Sequence, residues 1–273
     1  MVFGEVKFTK GWYVMYTLVL LAQQYSTKNF DTDMLENLMS PEYQLYIIKN
    51  DCADVGHFGM ARTRTYIIMR HVETTDCLYD PVEMYQEIKE YIRSRVQTRP
   101  SDYMIATPEE VALEAQHVSR VRMVPYVPGN MDLTYLLNER EKKTLDAACA
   151  QYRKRFSKDP FEDQNLAIFL GDSHTYGITW SAVSNRIPTF RLNTGMMFFP
   201  FYRRWMCSSE KLAAFGFPIR DVATTMGCPP LLIRDWKRAN QLAGNCMVLP
   251  CIAIVQMVAL SCIASKSATG SMY

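Results

Sequence analysis

Two arginines separated by one residue, Arg62 and Arg64, stand out as candidates for binding chemistry. A guanidinium is always charged and presents its donors in a fixed plane, which suits a carbonyl oxygen or a phosphate. The pair follows a loop containing Gly56 and Gly59 and precedes an apolar run, TYIIM at 65–69, typical of a buried strand. Arginines at the start of a strand are also common surface residues, so both interpretations stay open here.

A second group of cations lies late in a predicted helix and comprises Arg153, Lys154, Arg155 and Lys158. These residues could contact DNA phosphates, since each neutralised phosphate releases counterions. They could equally interact with the helix dipole, which favours cations at the C-terminus. Arg203 is a similar candidate for DNA contact. The net charge of +2 is too small to indicate nucleic-acid binding from bulk charge.

Other patterns exclude whole classes of site. Asp172, Ser173 and His174 are adjacent, so their side chains do not converge as a hydrolase triad, and no nucleophile-elbow pattern is present. The eight cysteines form no CxxC pair and the histidines lack metal-ligand spacing, so we expect no metal site. Scattered free thiols fit a reducing intracellular compartment.

Two separated segments carry specific spacings. Segment 59–68 (GMARTRTYII) resembles the eighth motif of DNA cytosine-C5 methyltransferases in its R-x-R pair and apolar strand, although Met60 replaces the usual glutamine. Segment 204–218 (RWMCSSEKLAAFGFP) is similar to the ninth motif of the same family. Its glutamate and its Gly-Phe-Pro triplet fall at the expected spacing, while Cys207 replaces the usual hydroxyl residue.

A third segment, 241–250 (QLAGNCMVLP), resembles the tenth motif, with Ala243 as one extra residue. The three segments occur in the order found in that family. The family places its variable target-recognition region between the eighth and ninth motifs. The resemblance therefore implies the C-terminal part of a DNA cytosine-C5 methyltransferase.

The resemblance also implies roles for individual residues. Arg64 would contact the flipped cytosine, and Arg62 would order the site or bind a phosphate. Asn245 and Cys246 would contact S-adenosylmethionine, although a Gly-Asn pair before an apolar run also suits a helix N-cap. Arg204 would contact DNA or brace the target-recognition region against the core. DNA is the expected partner.

The family's chemistry needs residues that this chain does not contain. A cysteine on a Pro-Cys loop attacks C6 of the cytosine, and a glycine-rich first βα turn binds S-adenosylmethionine. Cys228-Pro229 and Pro250-Cys251 lie after or within the last motifs, so neither is that loop. We expect no methyl transfer by this chain alone, whether it is a fragment, one half of a split enzyme completed by a second chain, or a decayed copy. A catalytically dead DNA- or partner-binding module is the alternative.

The predicted fold is α/β: a partial S-adenosylmethionine-dependent methyltransferase fold with an incomplete mixed sheet and an inserted α+β target-recognition region. The predicted domains are a partial catalytic segment at 1–70, a target-recognition-like region at 71–203, closing motifs and helix at 204–265, and a polar tail at 266–273. Strands are predicted at 43–48 and 65–69. Helices are predicted at 81–96, 108–118 and 139–156; a fourth helix begins near 208, and a fifth runs from 247 or 250 to about 264. The helix starts rest on capping patterns such as Thr107-Pro108 with Glu110.

Composition fits a folded intracellular chain, with 48% hydrophobic and 21% charged residues. The first residues lack the basic-then-apolar order of a signal peptide. The apolar run 246–264 is long enough to cross a bilayer, but its proline and small residues equally suit a buried closing helix. A protein anchored in a membrane through 246–264 is therefore a further alternative. The expected location is intracellular, and in a eukaryote it is the nucleus.

Overall fold

Strands and helices are mixed along the chain, for which a computed structural model describes residues 17–22, 32–191, 195–219 and 236–266. The strands are β1 Thr17–Ala22, β2 Tyr43–Asp51, β3 Thr63–His71, β4 Thr75–Cys77, β5 Ile168–Phe169, β6 Met197–Phe199, β7 Arg204–Trp205 and β8 Ile263–Ser265. The helices are α1 Thr32–Met39, α2 Pro81–Arg93, α3 Pro108–Arg122, α4 Glu139–Phe156, α5 Ser208–Ala214, α6 Trp236–Asn245 and α7 Leu249–Cys262. The chain is therefore a mixed α/β protein with small sheets.

The predicted helix starts are confirmed by reciprocal capping. At the start of α3, the Thr107 hydroxyl accepts from the Glu110 amide at 3.3 Å, and the Glu110 carboxylate accepts from the Thr107 amide at 2.8 Å. Asn138 and Glu141 repeat this arrangement at the start of α4, with both distances at 2.9 Å. Each box satisfies amides that the first helical turn cannot pair, so the sequence pattern alone locates these starts.

Three helices differ from the sequence prediction, and the first is α2, which ends at Arg93 rather than at 96. Helix α3 continues past residue 118 to Arg122, and it ends where Met123 adopts a left-handed φ of 55° and the Val124 amide donates to the Ser119 carbonyl at 3.1 Å. Helix α6 was not predicted, since its sequence WKRANQLAGN has no N-terminal capping pattern. It places residues 241–245 on a helix and makes Asn245 its last residue rather than an N-cap, so the N-cap interpretation of Asn245 is wrong.

The largest described sheet has the order β1-β3-β2. Strand β1 is antiparallel to β3, with Thr17 opposite Arg70. Strand β2 is antiparallel to β3 as well, because the Val72 amide donates to the Glu42 carbonyl at one end and β2 meets the start of β3 at the other. Strands β1 and β2 consequently run parallel, with α1 between them in the chain and β3 between them in space.

The chain divides into two compact units. The first comprises the described parts of Met1–Lys49, Arg64–Glu87 and Ile254–Tyr273. Its buried side chains include those at 66–69 in the centre of β3 and, on α7, Val255 and Val258. Strand β4 pairs with β8 in the same unit.

The second unit comprises Asn50–Thr63 and Ile88–Ala253. Its core forms where the apolar faces of α3 and α4 meet the small antiparallel sheet β5-β6-β7. Buried members of this core include Val111, Leu133, Leu145, Tyr152, Ile168, Phe198 and Trp205. Burial of such side chains supplies the main favourable free energy of folding, and this unit holds most of the predicted site residues.

Candidate functional site

The loop from β2 to β3 ends at Arg62 and is held by main-chain hydrogen bonds to a distant segment. The Ala61 amide donates to the Ile187 carbonyl at 3.0 Å, and the Ile187 amide donates to the Gly59 carbonyl at 2.7 Å. Gly59 is required in this packing, because a Cβ there would lie 2.6 Å from the Arg99 carbonyl carbon. The backbone before Arg62 is therefore fixed on both sides.

Arg186 adds a side-chain clamp to the same loop. Its guanidinium pairs with the Asp51 carboxylate, and its Nε donates to the Met60 carbonyl at 2.9 Å. The Asp51 carboxylate also accepts from the Thr63 hydroxyl at 2.6 Å, just beyond Arg62. Sequence reasoning missed Arg186, since a lone arginine far away in sequence carries no pattern that links it to this loop.

Arg62 of segment 59–68 contacts both segment 204–218 and segment 241–250. Its side chain is buried, and its Nη2 donates to the Cys246 carbonyl of segment 241–250 at 2.7 Å. Its guanidinium carbon also lies 4.9 Å from the centre of the Phe215 ring of segment 204–218. A charge-assisted hydrogen bond and a cation–π contact thus join parts of the chain far apart in sequence.

Segments 204–218 and 241–250 also contact each other directly. The Leu249 amide donates to the Phe215 carbonyl at 2.9 Å. Gly216 has a left-handed φ of 75°, and a Cβ at this position would lie 2.4 Å from Pro250 Cδ. Glycine is therefore needed both for the backbone conformation after α5 and for the close approach to the start of α7.

Arg204 is buried and forms a bidentate pair with Glu210. Its Nη1 and Nη2 donate to the two carboxylate oxygens at 2.8 and 2.7 Å. The same carboxylate accepts from the Cys207 amide at 2.7 Å and from the Ala106 amide at 2.8 Å. The second bond connects segment 204–218 to the residues just before α3. With only 5% of Arg204 exposed, this arrangement favours the predicted bracing role over the predicted DNA contact.

Glu114 of α3 makes a second buried connection to segment 204–218. Its carboxylate accepts from the Ser208 amide at 2.6 Å, from the Ser208 hydroxyl, and from Trp205 Nε1 at 3.4 Å. It thus satisfies a first-turn amide of α5 from outside that helix. Sequence reasoning missed Glu114, because an acid in the middle of α3 looks like an ordinary solvated charge.

Arg64 lies on β3 and is half-buried. It belongs to the first unit, whereas Arg62 belongs to the second. Its predicted contact with a flipped cytosine stays a prediction. The two arginines look equivalent in sequence, but the fold gives them different environments.

The predicted cofactor residues lie at the end of α6, with Asn245 as its last residue and Cys246 directly after it. The Cys246 amide donates to the Leu242 carbonyl at 2.7 Å, and its own carbonyl is occupied by Arg62. Burial raises the pKa of the Cys246 thiol to about 11, so it is neutral near pH 7. The side chain of Asn245 lies outside the described residues. The predicted contact of these residues with S-adenosylmethionine stays a prediction.

The basic cluster at the end of α4 is on the surface. Arg153, Lys154 and Arg155 are all exposed in the last helical turn. Arg153 pairs with Asp159 at 3.1 Å, with 53% and 45% of the side chains exposed, which leaves it accessible to other anions. Arg203 is exposed too, and pairs with Asp132 at 2.9 Å. These four residues remain candidates for DNA contact.

A partly buried hydrogen-bond chain lies beside segment 204–218. His57 Nδ1 is 3.2 Å from the Tyr103 hydroxyl, which is 2.7 Å from the Thr98 hydroxyl. Burial lowers the pKa of His57, so the ring is neutral near pH 7. A Cβ at Gly216 would lie 3.3 Å from His57 Nε2, which puts the ring against segment 204–218.

No protein-family model matches this chain, and a search of curated proteins found no significant match. Among the described residues, no group of three or more histidine, cysteine or acidic side chains is arranged to hold a metal ion. In the same part of the chain no single helix is long and apolar enough to cross a membrane. Arg238–Gly244 and Leu249–Cys262 meet that criterion only as a pair bent by 50°.

Proposed function

We propose that this chain is the C-terminal, target-recognition part of a DNA cytosine-C5 methyltransferase, and that it transfers no methyl group by itself. The observation that carries the proposal is the position of Arg62. This residue belongs to the segment that resembles the eighth motif, and it contacts both segments that resemble the ninth and tenth motifs. If the three segments belong to one catalytic surface, they should contact one another, as they do around Arg62.

The arrangement of the largest sheet also supports this proposal. Strands β1 and β2 are parallel and joined through α1, with the antiparallel strand β3 between them, which is a split β-α-β arrangement compatible with an α/β sheet. Strand β1 reads TLVLLA, a continuous apolar run typical of a strand within such a sheet. We propose a partial S-adenosylmethionine-dependent methyltransferase fold, with residues 71–203 as the inserted target-recognition region.

In this proposal the chain binds DNA and orders part of the catalytic surface. Arg153, Lys154, Arg155 and Arg203 supply exposed positive charge for phosphates. Arg64 is the proposed contact to the extruded cytosine, and Arg62 holds segments 204–218 and 241–250 to the loop before β3. The nucleophile and the cofactor turn belong to motifs that this chain does not contain, so a second chain or segment would supply both them and S-adenosylmethionine.

Two assays test the proposal together. Purified chain is first incubated with DNA and labelled S-adenosylmethionine, and we expect no incorporation above background. A chain carrying the glycine-rich turn and the Pro-Cys loop of a cytosine-C5 methyltransferase is then added, and we expect incorporation to appear. Arg64→Gln serves as the matched variant, since it should lower incorporation by the mixture without preventing the two chains from associating.

The outcomes separate this function from the alternatives. Incorporation by the chain alone would contradict the proposal that it is inactive. DNA binding without any complementation would favour a catalytically dead binding module. Failure to bind DNA in a mobility-shift assay, alone and in the mixture, would remove the proposal altogether. Recovery only in a detergent-soluble membrane fraction would favour the membrane-anchored alternative.

A further inference from the structure

An exposed tyrosine projects from a short loop of the second unit. Tyr176 has 93% of its surface exposed, at the end of the 3-10 turn His174–Tyr176. The preceding residues of this turn are also exposed. A ring this exposed contributes almost nothing to the core and is available to a partner.

The base of this loop is firmly attached to the protein. The Asp172 carboxylate accepts from Arg191 at 2.8 Å and from the Thr179 hydroxyl at 3.1 Å. From α4, Arg140 donates to the Gly171 carbonyl at 2.9 Å and the Thr144 hydroxyl donates to the Asp172 carbonyl at 3.3 Å. The ring is thus presented on an anchored support.

A row of polar and cationic side chains leads away from the loop along α4. Arg140, Lys143, Gln151 and Lys154 are all exposed and lie on one face of α4, with the half-buried Ala147 in the gap between Lys143 and Gln151. Helix α4 contains six cationic and three acidic residues, and one of those acids, Glu141, is buried against Arg122. At 1.5 Å per residue the row is about 20 Å long.

We propose that Tyr176 stacks on an unpaired base of a nucleic acid while the α4 row, Arg140 to Lys154, follows the phosphates of the same strand. The inference rests on the proposed DNA-binding function and adds the element that contacts a base. A row of about 20 Å matches roughly six nucleotides at 3.4 Å each. Helix α4, which bonds to the base of this loop, carries exposed cations, and these favour a phosphate-bearing partner over an apolar protein surface.

The ring and the row have separate physical tasks. A tyrosine ring stacks on any base because every base has a π face, so this contact responds to base exposure rather than to sequence. The cations bind phosphates through counterion release, so their contribution depends on salt. The proposal therefore predicts that loss of the ring and loss of a cation have different experimental signatures.

The test uses two DNA duplexes labelled with fluorescein, each carrying one 2-aminopurine. In the first duplex this base lies opposite an abasic position and is unpaired, and in the second it is paired with thymine. We expect the wild-type chain to bind the first duplex more tightly and to quench its 2-aminopurine fluorescence. Tyr176→Ala should raise Kd for the first duplex about tenfold and abolish the quenching, with little change for the second.

Matched variants complete the design. Tyr176→Phe keeps a stacking ring and should bind within about twofold of wild type. Tyr79→Ala removes a ring that is 62% exposed in the first unit and should leave Kd unchanged. Lys143→Gln should reduce the slope of log Kd against log salt by about one and preserve the quenching.

The results distinguish this inference from the function on which it rests. If the wild type binds both duplexes but Tyr176→Ala behaves identically, the stacking inference is wrong and DNA binding stands. If the wild type binds neither duplex, both are wrong. Stacking would also be overturned, in favour of a structural role for Tyr176, by the following pair of results. Tyr176→Ala loses binding and has an altered circular-dichroism spectrum, and Tyr176→Phe fails to quench the 2-aminopurine fluorescence.

Discussion

Replacing Arg204 by methionine should destabilise the second unit far more than replacing an exposed arginine. Glu210 is fully buried and accepts four hydrogen bonds, two of them from the Arg204 guanidinium. Methionine fills a similar volume but provides no donor, so the carboxylate would keep only its two backbone amides. Breaking a buried ion pair by removing one partner costs about 3–5 kcal/mol, because a charge is left without its counter-charge.

Urea unfolding followed by tryptophan fluorescence measures this effect, since Trp205 is the next residue in the chain. With a slope of about 2 kcal/mol per molar urea, the midpoint of Arg204→Met should fall by about 2 M. Arg153→Met is the matched control, because its pair with Asp159 is about half exposed on both sides and should be worth less than about 1 kcal/mol.

A double-mutant cycle with Glu210→Gln sharpens the same prediction. Because Arg204 and Glu210 bond to each other, the double variant should lose less stability than the sum of the two single variants. The reasoning would be refuted if Arg204→Met cost no more than the exposed control, or if the two single effects simply added.

Three further predictions concern the surroundings of this pair. Gly216→Ala should lower the urea midpoint well beyond Gly129→Ala, because both glycines have a left-handed φ but only the first would clash with Pro250; equal shifts would show that close packing is unimportant. Burial lowers the pKa of His57, so the folded chain binds fewer protons than the unfolded chain and its unfolding free energy should fall as pH drops through about 6.5 and below. His57→Gln should flatten that fall in midpoints measured between about pH 7.5 and about pH 5.5, and an unchanged slope would contradict the assignment. Arg62→Met removes the hydrogen bond and ring contact described above and should cost about 2–3 kcal/mol in the same assay, whereas a loss below about 0.5 kcal/mol would mean that it does not join the segments.

The sequence determined those local structures whose causes are local. Thr107 with Glu110 and Asn138 with Glu141 located two helix starts, because a capping box is made within four consecutive residues. Apolar runs located β2 and β3, because a buried strand is also a stretch of consecutive residues. Gly216 marked the end of α5. The sequence also provided three short segments in a defined order, and their resemblance to the cytosine-C5 methyltransferase family stays a prediction.

The tertiary structure decided which of the candidate residues act together. Arg62 and Arg64 have the same type and nearly the same position in sequence, yet one is buried among distant segments and the other lies half-buried on β3. Arg186 and Glu114 became important only when the fold brought distant partners to them. Hydrogen bonds and ring contacts act over a few ångströms in space, whereas the sequence reports only neighbours along the chain.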